Sequence, residues 1–282
     1  MHTHTLFCDG RQDVETMCNT AFAKGLCAVG FSAHAPVFKY TGLKTDWHMP
    51  DEKLNEYMDE VLAARRRWQG KLAIYLGLEL DYIKGMRSAL DSDIKALNLD
   101  YIIGSVHYLV PKNSEPFTFD GSIKEFEKGF REGYNGDKEA LMGAYWEAIE
   151  EMISLGGIDI LGHMDIFKIN CKNIDTENEA AQVTKIAQAA ARAEIAVEVN
   201  TGGINRGRAS DTFPSARLLR IFCEQKVPAI ITADAHDAAE LGGNYDIALK
   251  NLAEAGYTDH ILFEGKENQK NIWHSQKINY NN

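Results

Sequence analysis

Short runs of β-prone apolar residues alternate along this chain with amphipathic stretches of roughly ten to twenty residues, and that alternation admits few folds. Ala28–Ser32, Ala73–Leu80, Tyr101–Tyr108, Ile158–Leu161, Ile195–Asn200 and Ala229–Ala233 are apolar on both faces, as strands buried between helices are. His2–Leu6 reads as a very short first strand. Helical spacing marks Val14–Lys24, Asp51–Trp68, Asp137–Leu155, Glu177–Ala193, Phe213–Gln225 and Tyr245–Ala255, the second opened by the helix-starting pair Pro50-Asp51. Regular succession of the two predicts βαβ units around a parallel sheet. Pro36–Pro50 and Val110–Gly136 break the rhythm, and their aromatic, Pro, Gly and charged residues predict long loops over a site. Neither a linker nor a repeat divides the 282 residues, so a single barrel-like domain spanning 1–282 is expected.

Composition narrows the function. The formal charge of −11 would repel a phosphate backbone, which argues against nucleic acid. No apolar run reaches the ~18 residues of a membrane helix. Cysteines at 8, 18, 27, 171 and 223 form an odd set without C-x-x-C spacing, which predicts reduced thiols and the cytoplasm.

The histidines carry the chemistry. Six of nine, His2, His4, His34, His107, His163 and His236, fall at or just beyond the C-terminal ends of predicted strands, the active-site rim of an α/β barrel. His2 and His4, two apart, project to one face of an extended backbone, and Asp234 with His236 repeats that spacing. Glu79 adds a carboxylate that can bridge two cations. Such a set buried without metal would strand many polar groups, so a metal centre is expected. His48, His260 and His274 fit no such pattern and are expected on loops or the surface, although His48 lies in a loop expected over the substrate. Cys8 reads as packing. Asp165 reads equally as a helix N-cap or as a residue that orients a ligand or meets the substrate.

His2-Thr3-His4 with Asp9, Ser32-Ala33-His34-Ala35, Gly77-Leu78-Glu79-Leu80-Asp81, Gly104-Ser105-Val106-His107, Gly162-His163-Met164-Asp165 and Asp234-Ala235-His236 follow one another in order. In this the chain resembles the polymerase-and-histidinol-phosphatase (PHP) superfamily, and within it the monofunctional histidinol-phosphate phosphatases. The resemblance implies a distorted (β/α)7 barrel with three divalent ions at the strand ends. By it, His2, His4, Glu79 and Asp234 would hold one ion, Glu79, His107 and His163 a second, and Asp9, His34 and His236 the third. Zinc, iron and manganese all suit these ligands.

Clustered cations suit a phosphate monoester. They neutralise its charge and lower the pKa of a bridging water, so attack by a metal-bridging hydroxide is expected, with Asp234 or His236 as proton donor to the leaving alcohol. Glu79, Asp234 and His236 are thus the candidate catalytic residues. Phosphate contacts fall to Arg206, with Arg208 and Lys168 behind it, because the Asn200–Arg208 segment offers backbone N–H groups and guanidinium forks after a strand. Trp47, Tyr108, Phe117 and Phe119 are candidate walls for the rest of the substrate, or else capping core. L-histidinol phosphate is the substrate the resemblance implies. Open alternatives are another small phosphate ester, an oligonucleotide exonuclease, a non-catalytic metal-binding barrel, and an amidohydrolase-like enzyme, whose usual bridging lysine is not evident here.

Overall fold

A computed structural model of the chain describes residues 1–171, 178–267 and 270–278. In chain order the strands are β1 (Ala28–Phe31), β2 (Ala73–Asp81), β3 (Tyr101–Ser105), β4 (Tyr108–Leu109), β5 (Phe117–Thr118), β6 (Ile160–Leu161), β7 (Ala196–Asn200), β8 (Ala229–Thr232), β9 (Asp259–Glu267) and β10 (Lys270–Lys277). The helices are α1 (Val14–Ala23), α2 (Phe38–Thr41), α3 (Leu54–Arg67), α4 (Ser92–Lys95), α5 (Ile123–Tyr134), α6 (Lys138–Leu155), α7 (Glu179–Arg192), α8 (Gly202–Asn205), α9 (Ala216–Glu224) and α10 (Tyr245–Ala255).

Parallel pairing runs β1-β2-β3-β6-β7-β8, the expected succession, with the long helices between them packed outside. The expected first strand is reduced to one bridge, Thr3 with Ala235. Its backbone nevertheless closes the ring. His4 N donates to Ala235 O at 2.8 Å, Ala235 N to His2 O at 3.1 Å, and Ser32 N to Thr3 O at 3.0 Å, which joins the end of β8 to the end of β1. The result is a distorted seven-stave barrel. Among the described residues no helix is long and apolar enough to cross a membrane.

Local chemistry explains most boundaries. Asp13 and Asp137 cap α1 and α6 by accepting from Thr16 N at 2.7 Å and Ala140 N at 3.1 Å. The helix expected from Phe213 begins at Ala216, because Phe213 is drawn into an antiparallel bridge with Asn200. Glu177, the expected first residue of α7, lies outside the described residues.

Two segments differ from expectation. Val110–Gly136 is not one long loop: it holds β5 and the whole of α5. Its start is a reciprocal capping box, with Glu125 N donating to Ser122 Oγ at 3.3 Å and Ser122 N to Glu125 Oε2 at 3.3 Å. Surrounding Gly, Pro and charged residues masked this signal and the Phe126, Phe130, Tyr134 stripe. The antiparallel β9-β10 hairpin was also not foreseen. Its Ile261 and Phe263 pack with Tyr101, Ile103, Ile160, Ala196 and Ile230, residues from the N-terminal halves of strands, so it plugs the barrel opposite the histidine-bearing end.

Tyr101 crosses that floor, donating from its hydroxyl to Phe31 O at 3.1 Å and to Met1 O. It fits because Gly77 has no side chain: a Cβ there would lie 2.6 Å from the Tyr101 ring. Gly77→Ala is therefore expected to cost about 1–3 kcal/mol through overpacking. Thermal denaturation checks this, and Tyr101→Leu in the same chain should recover part of the loss.

Candidate metal centre

Carboxyl ends of the staves converge on one cluster. The N-terminal segment supplies His2 and His4, the extension of β1 supplies His34, and β2 supplies Glu79. His107, His163, and the pair Asp234 and His236 follow β3, β6 and β8. Asp9 comes from the turn after His4. The structure thus brings together all nine residues named from the sequence.

Glu79 is central. Its Oε2 lies 2.9 Å from His34 Nδ1, 3.1 Å from His2 Nε2 and 3.5 Å from His4 Nε2, and its Oε1 lies 2.8 Å from His163 Nε2 and 3.6 Å from His107 Nε2. Asp234 Oδ1 is 3.2 Å from His4 Nε2 and 3.5 Å from His236 Nδ1, and Asp9 Oδ2 is 3.2 Å from His236 Nε2. Donor atoms fall into four overlapping groups: His2, His4, Asp234; His2, Glu79, His163; His4, Asp9, His34, His236; and His34, Asp81, His107. This differs from the expected grouping: Glu79 groups with His2 and His163 rather than with His2, His4 and Asp234, His4 also faces the Asp9 group, and His107 lies with His34 and Asp81.

Despite these short separations, buried His2 Nε2, His4 Nε2, His34 Nδ1 and Glu79 Oε2 are not aligned for a hydrogen bond with any partner. Orphaned polar atoms at such density are costly, and divalent cations would satisfy all four. The donor set of imidazoles and carboxylates therefore fits metal.

Electrostatics agree. Burial would raise the Glu79 pKa, but the imidazoles of His34, His2 and His107 hold it well below the usual carboxylate range. Asp234 is likewise buried and held well below it by Arg206 and His2. Burial, with His236 and His34 beside it, pushes His4 down to about 3, so His4 presents a neutral lone pair. Burial also pulls His2 down, but Glu198, Glu79 and Asp234 overcome that and raise it. Carboxylates thus gather positive charge here, and metal must displace protons to bind.

Asp234 sits at φ 47°, a left-handed backbone that aspartate tolerates better than most residues. A Cβ on Gly202 would lie 2.9 Å from both Asp234 Cβ and Arg206 Nη2, so glycine there lets the arginine close on the carboxylate.

Four supporting residues escaped the sequence reading. Glu198 accepts from His2 Nδ1 at 2.6 Å, Thr232 Oγ1 at 2.6 Å, His163 N at 2.7 Å and Asn200 Nδ2 at 3.1 Å. Holding His2 at Nδ1 turns its Nε2 toward the cluster. Asp81 does the same for His107, accepting from Nδ1 at 2.7 Å, and Ser105 Oγ donates to Glu79 Oε1 at 2.7 Å. The available signal was an acid inside an apolar strand, Val197-Glu198-Val199 and Leu80-Asp81. The fourth is His48, a correction: it is buried, with Nε2 2.6 Å from Asp81 Oδ2, because its loop folds inward over β2. His260 is also buried, in β9, whereas His274 is exposed as expected.

Of the phosphate candidates, Arg206 donates to Asp234 Oδ2 at 3.0 Å and to the Asp234 carbonyl. Arg208 donates to the Asp120 carbonyl, and both arginines line a cleft of about 310 Å³ beside the cluster. Lys168 does not line it: its ammonium is held by Asp165 and lies 3.3 Å from Ser215 Oγ. Asp165 precedes the short 166–169 turn but makes no side-chain cap bond. Trp47 walls the cleft and, with Tyr108 and Phe117, an adjoining cavity of about 760 Å³; Phe119 is core. The Cys8 thiol, 3.4 Å from His4 Nδ1, is pushed up to about 12 by burial and Asp9, so it stays protonated.

The model of the PHP domain matches residues 1–202, more than two thirds of the chain. The chain belongs to the PHP family. Asp234 and His236 lie beyond the matched span, yet the fold returns them to the PHP cluster. Among relatives, a Bacillus subtilis protein named histidinol-phosphatase is 28% identical over 266 residues, covering 88% of this chain and 97% of its own. A Deinococcus radiodurans protein named "probable histidinol-phosphatase" is 27% identical over 256 residues, covering 90% and 92%. Among solved structures, histidinol phosphate phosphatase from Lactococcus lactis, complexed with zinc, L-histidinol and phosphate, superposes with TM-score 0.68 at 21% identity over 96% of this chain and 97% of that one.

Proposed function

We propose that this chain is a metal-dependent histidinol-phosphatase, hydrolysing L-histidinol phosphate to L-histidinol and phosphate in L-histidine biosynthesis. The observation that carries the reading is the cluster of nine imidazole and carboxylate residues with orphaned atoms beside an arginine-lined cleft, in a chain whose relatives bear that name. The nine residues would hold three divalent ions, zinc, iron or manganese. Bound there, these supply charge neutralisation for the phosphate and acidify a water enough to make it nucleophilic near neutral pH.

The protein's own groups do the rest. Glu198 and Asp81 fix the tautomers of His2 and His107. Arg208, whose guanidinium is committed to one carbonyl, meets the phosphate, while Arg206, on the same cleft, is held by Asp234 and lies 3.0 Å from His236 Nδ1. With Asp234 and His236 given to the ions, the proton for the departing alkoxide would reach it through a water held at this pair on the cleft wall. The 1–282 chain works as one catalytic unit in the cytoplasm, on a small phosphate ester rather than nucleic acid; its five free cysteines suit that compartment.

Phosphate release from L-histidinol phosphate, set against a panel of small phosphomonoesters and an oligonucleotide, tests the reading. Strong preference for histidinol phosphate, lost on chelation and restored by zinc or manganese, is expected. Equal turnover of the panel would discard the substrate, and chelator-resistant turnover would discard the metal. Within the site, Arg208→Ala is expected to raise KM about 10-fold or more, as loss of a charge-assisted hydrogen bond does, with metal content unchanged. Arg206→Ala should raise KM and also lower metal content, because it releases Asp234.

A further inference from the structure

The Trp47-His48 loop reaches the metal cluster through an unbroken hydrogen-bonded chain. Buried Asp81 Oδ2 lies 2.6 Å from His48 Nε2, and a carboxylate oxygen accepts, so the proton in this hydrogen bond is placed on His48 Nε2. His48 Nδ1 is then an acceptor, and the Thr45 hydroxyl lies 2.8 Å from it. On the other side, Asp81 Oδ1 accepts from His107 Nδ1 at 2.7 Å and from His107 N at 3.3 Å, which leaves the His107 Nε2 lone pair aimed toward Glu79. Each polar atom from Thr45 to His107 has one consistent role. His48 also packs beside two rings, 3.7 Å from the Trp47 centroid and 6.1 Å from that of Tyr108.

We infer that His48 is a positioning residue for the metal centre: acting through Asp81, it fixes the orientation of His107 and thereby keys the 36–50 loop, whose Trp47 walls the cleft, to the metal site. Asp81 alone could rotate about its own bond, since one oxygen would then face no donor. With both oxygens engaged, the carboxylate is pinned and His107 with it. The inference rests on the metal reading of the cluster but not on the identity of the substrate.

The test is the rate at which metal-loaded protein releases zinc to a chromophoric chelator. His48→Leu is expected to accelerate one kinetic class of release about 10–100-fold, the range for loss of a partner behind a ligand, and to leave the others unchanged. His48→Gln, whose amide can donate to Asp81 and accept from Thr45, should restore slow release. Met49→Ala, which loosens the buried side of the same loop without touching Asp81, should release metal at the parent rate. Parent-like release from His48→Leu, no rescue by Gln, or equal acceleration by Met49→Ala would each overturn the inference. Chain that takes up no zinc at all would overturn the metal reading beneath it, an outcome visible before any variant is compared.

Discussion

Glu79→Gln is expected to reduce kcat/KM on the phosphate ester by roughly 10³-fold or more, because a cation cluster contributes several kcal/mol to such a reaction. The substitution keeps size and shape and removes one negative charge. That charge faces His2, His4 and His34 through one oxygen and His107 and His163 through the other. A neutral amide can neither balance two cations nor hold five imidazoles around them. Metal analysis of the purified variant should show substoichiometric loading. Full loading with activity within tenfold of the parent would show that Glu79 does not bridge.

Glu198→Ala should have its largest effect on stability. Four donors, from His2, His163, Asn200 and Thr232, end on this one buried carboxylate. Deleting it strands all four in the barrel interior, for which about 3–5 kcal/mol is expected, the range for breaking a buried charged network. Denaturation in the presence of chelator isolates this loss from any change in metal binding. Glu198→Gln, which can still accept from two of the donors, should lose less. An unchanged midpoint for Glu198→Ala would show that water replaces the carboxylate.

Both carboxylates lie in strands the sequence reveals, yet only Glu79 announced itself. Parallel strands buried on both faces are legible as apolar runs, and histidines at their ends are legible as a rim, so the barrel, the six rim histidines, Glu79 and Asp234 could be read directly, whereas Asp9 and the full set of nine came with the family resemblance. Glu198 and Asp81 stand in the same kind of apolar run, but their roles depend on which donors meet them from neighbouring strands, and one-dimensional spacing does not carry that. His48 failed for a related reason: a loop has no period from which to infer that it folds inward. Helix α5 was hidden by composition, since Gly and Pro around it outweighed the Ser122-Glu125 signal. The β9-β10 hairpin escaped because, among its described residues, Ile261, Phe263 and the half-buried Trp273 alone pack on the barrel floor.

The seam of the barrel is where His2 and His4 reside. Three backbone hydrogen bonds join that segment to Ser32 and Ala235, next to side chains that would hold shared cations. Ligand capture and ring closure are therefore thermodynamically linked: part of the free energy of cation binding is spent on shutting the cylinder, and part of the cylinder's resistance to opening is set by the free cation concentration around it.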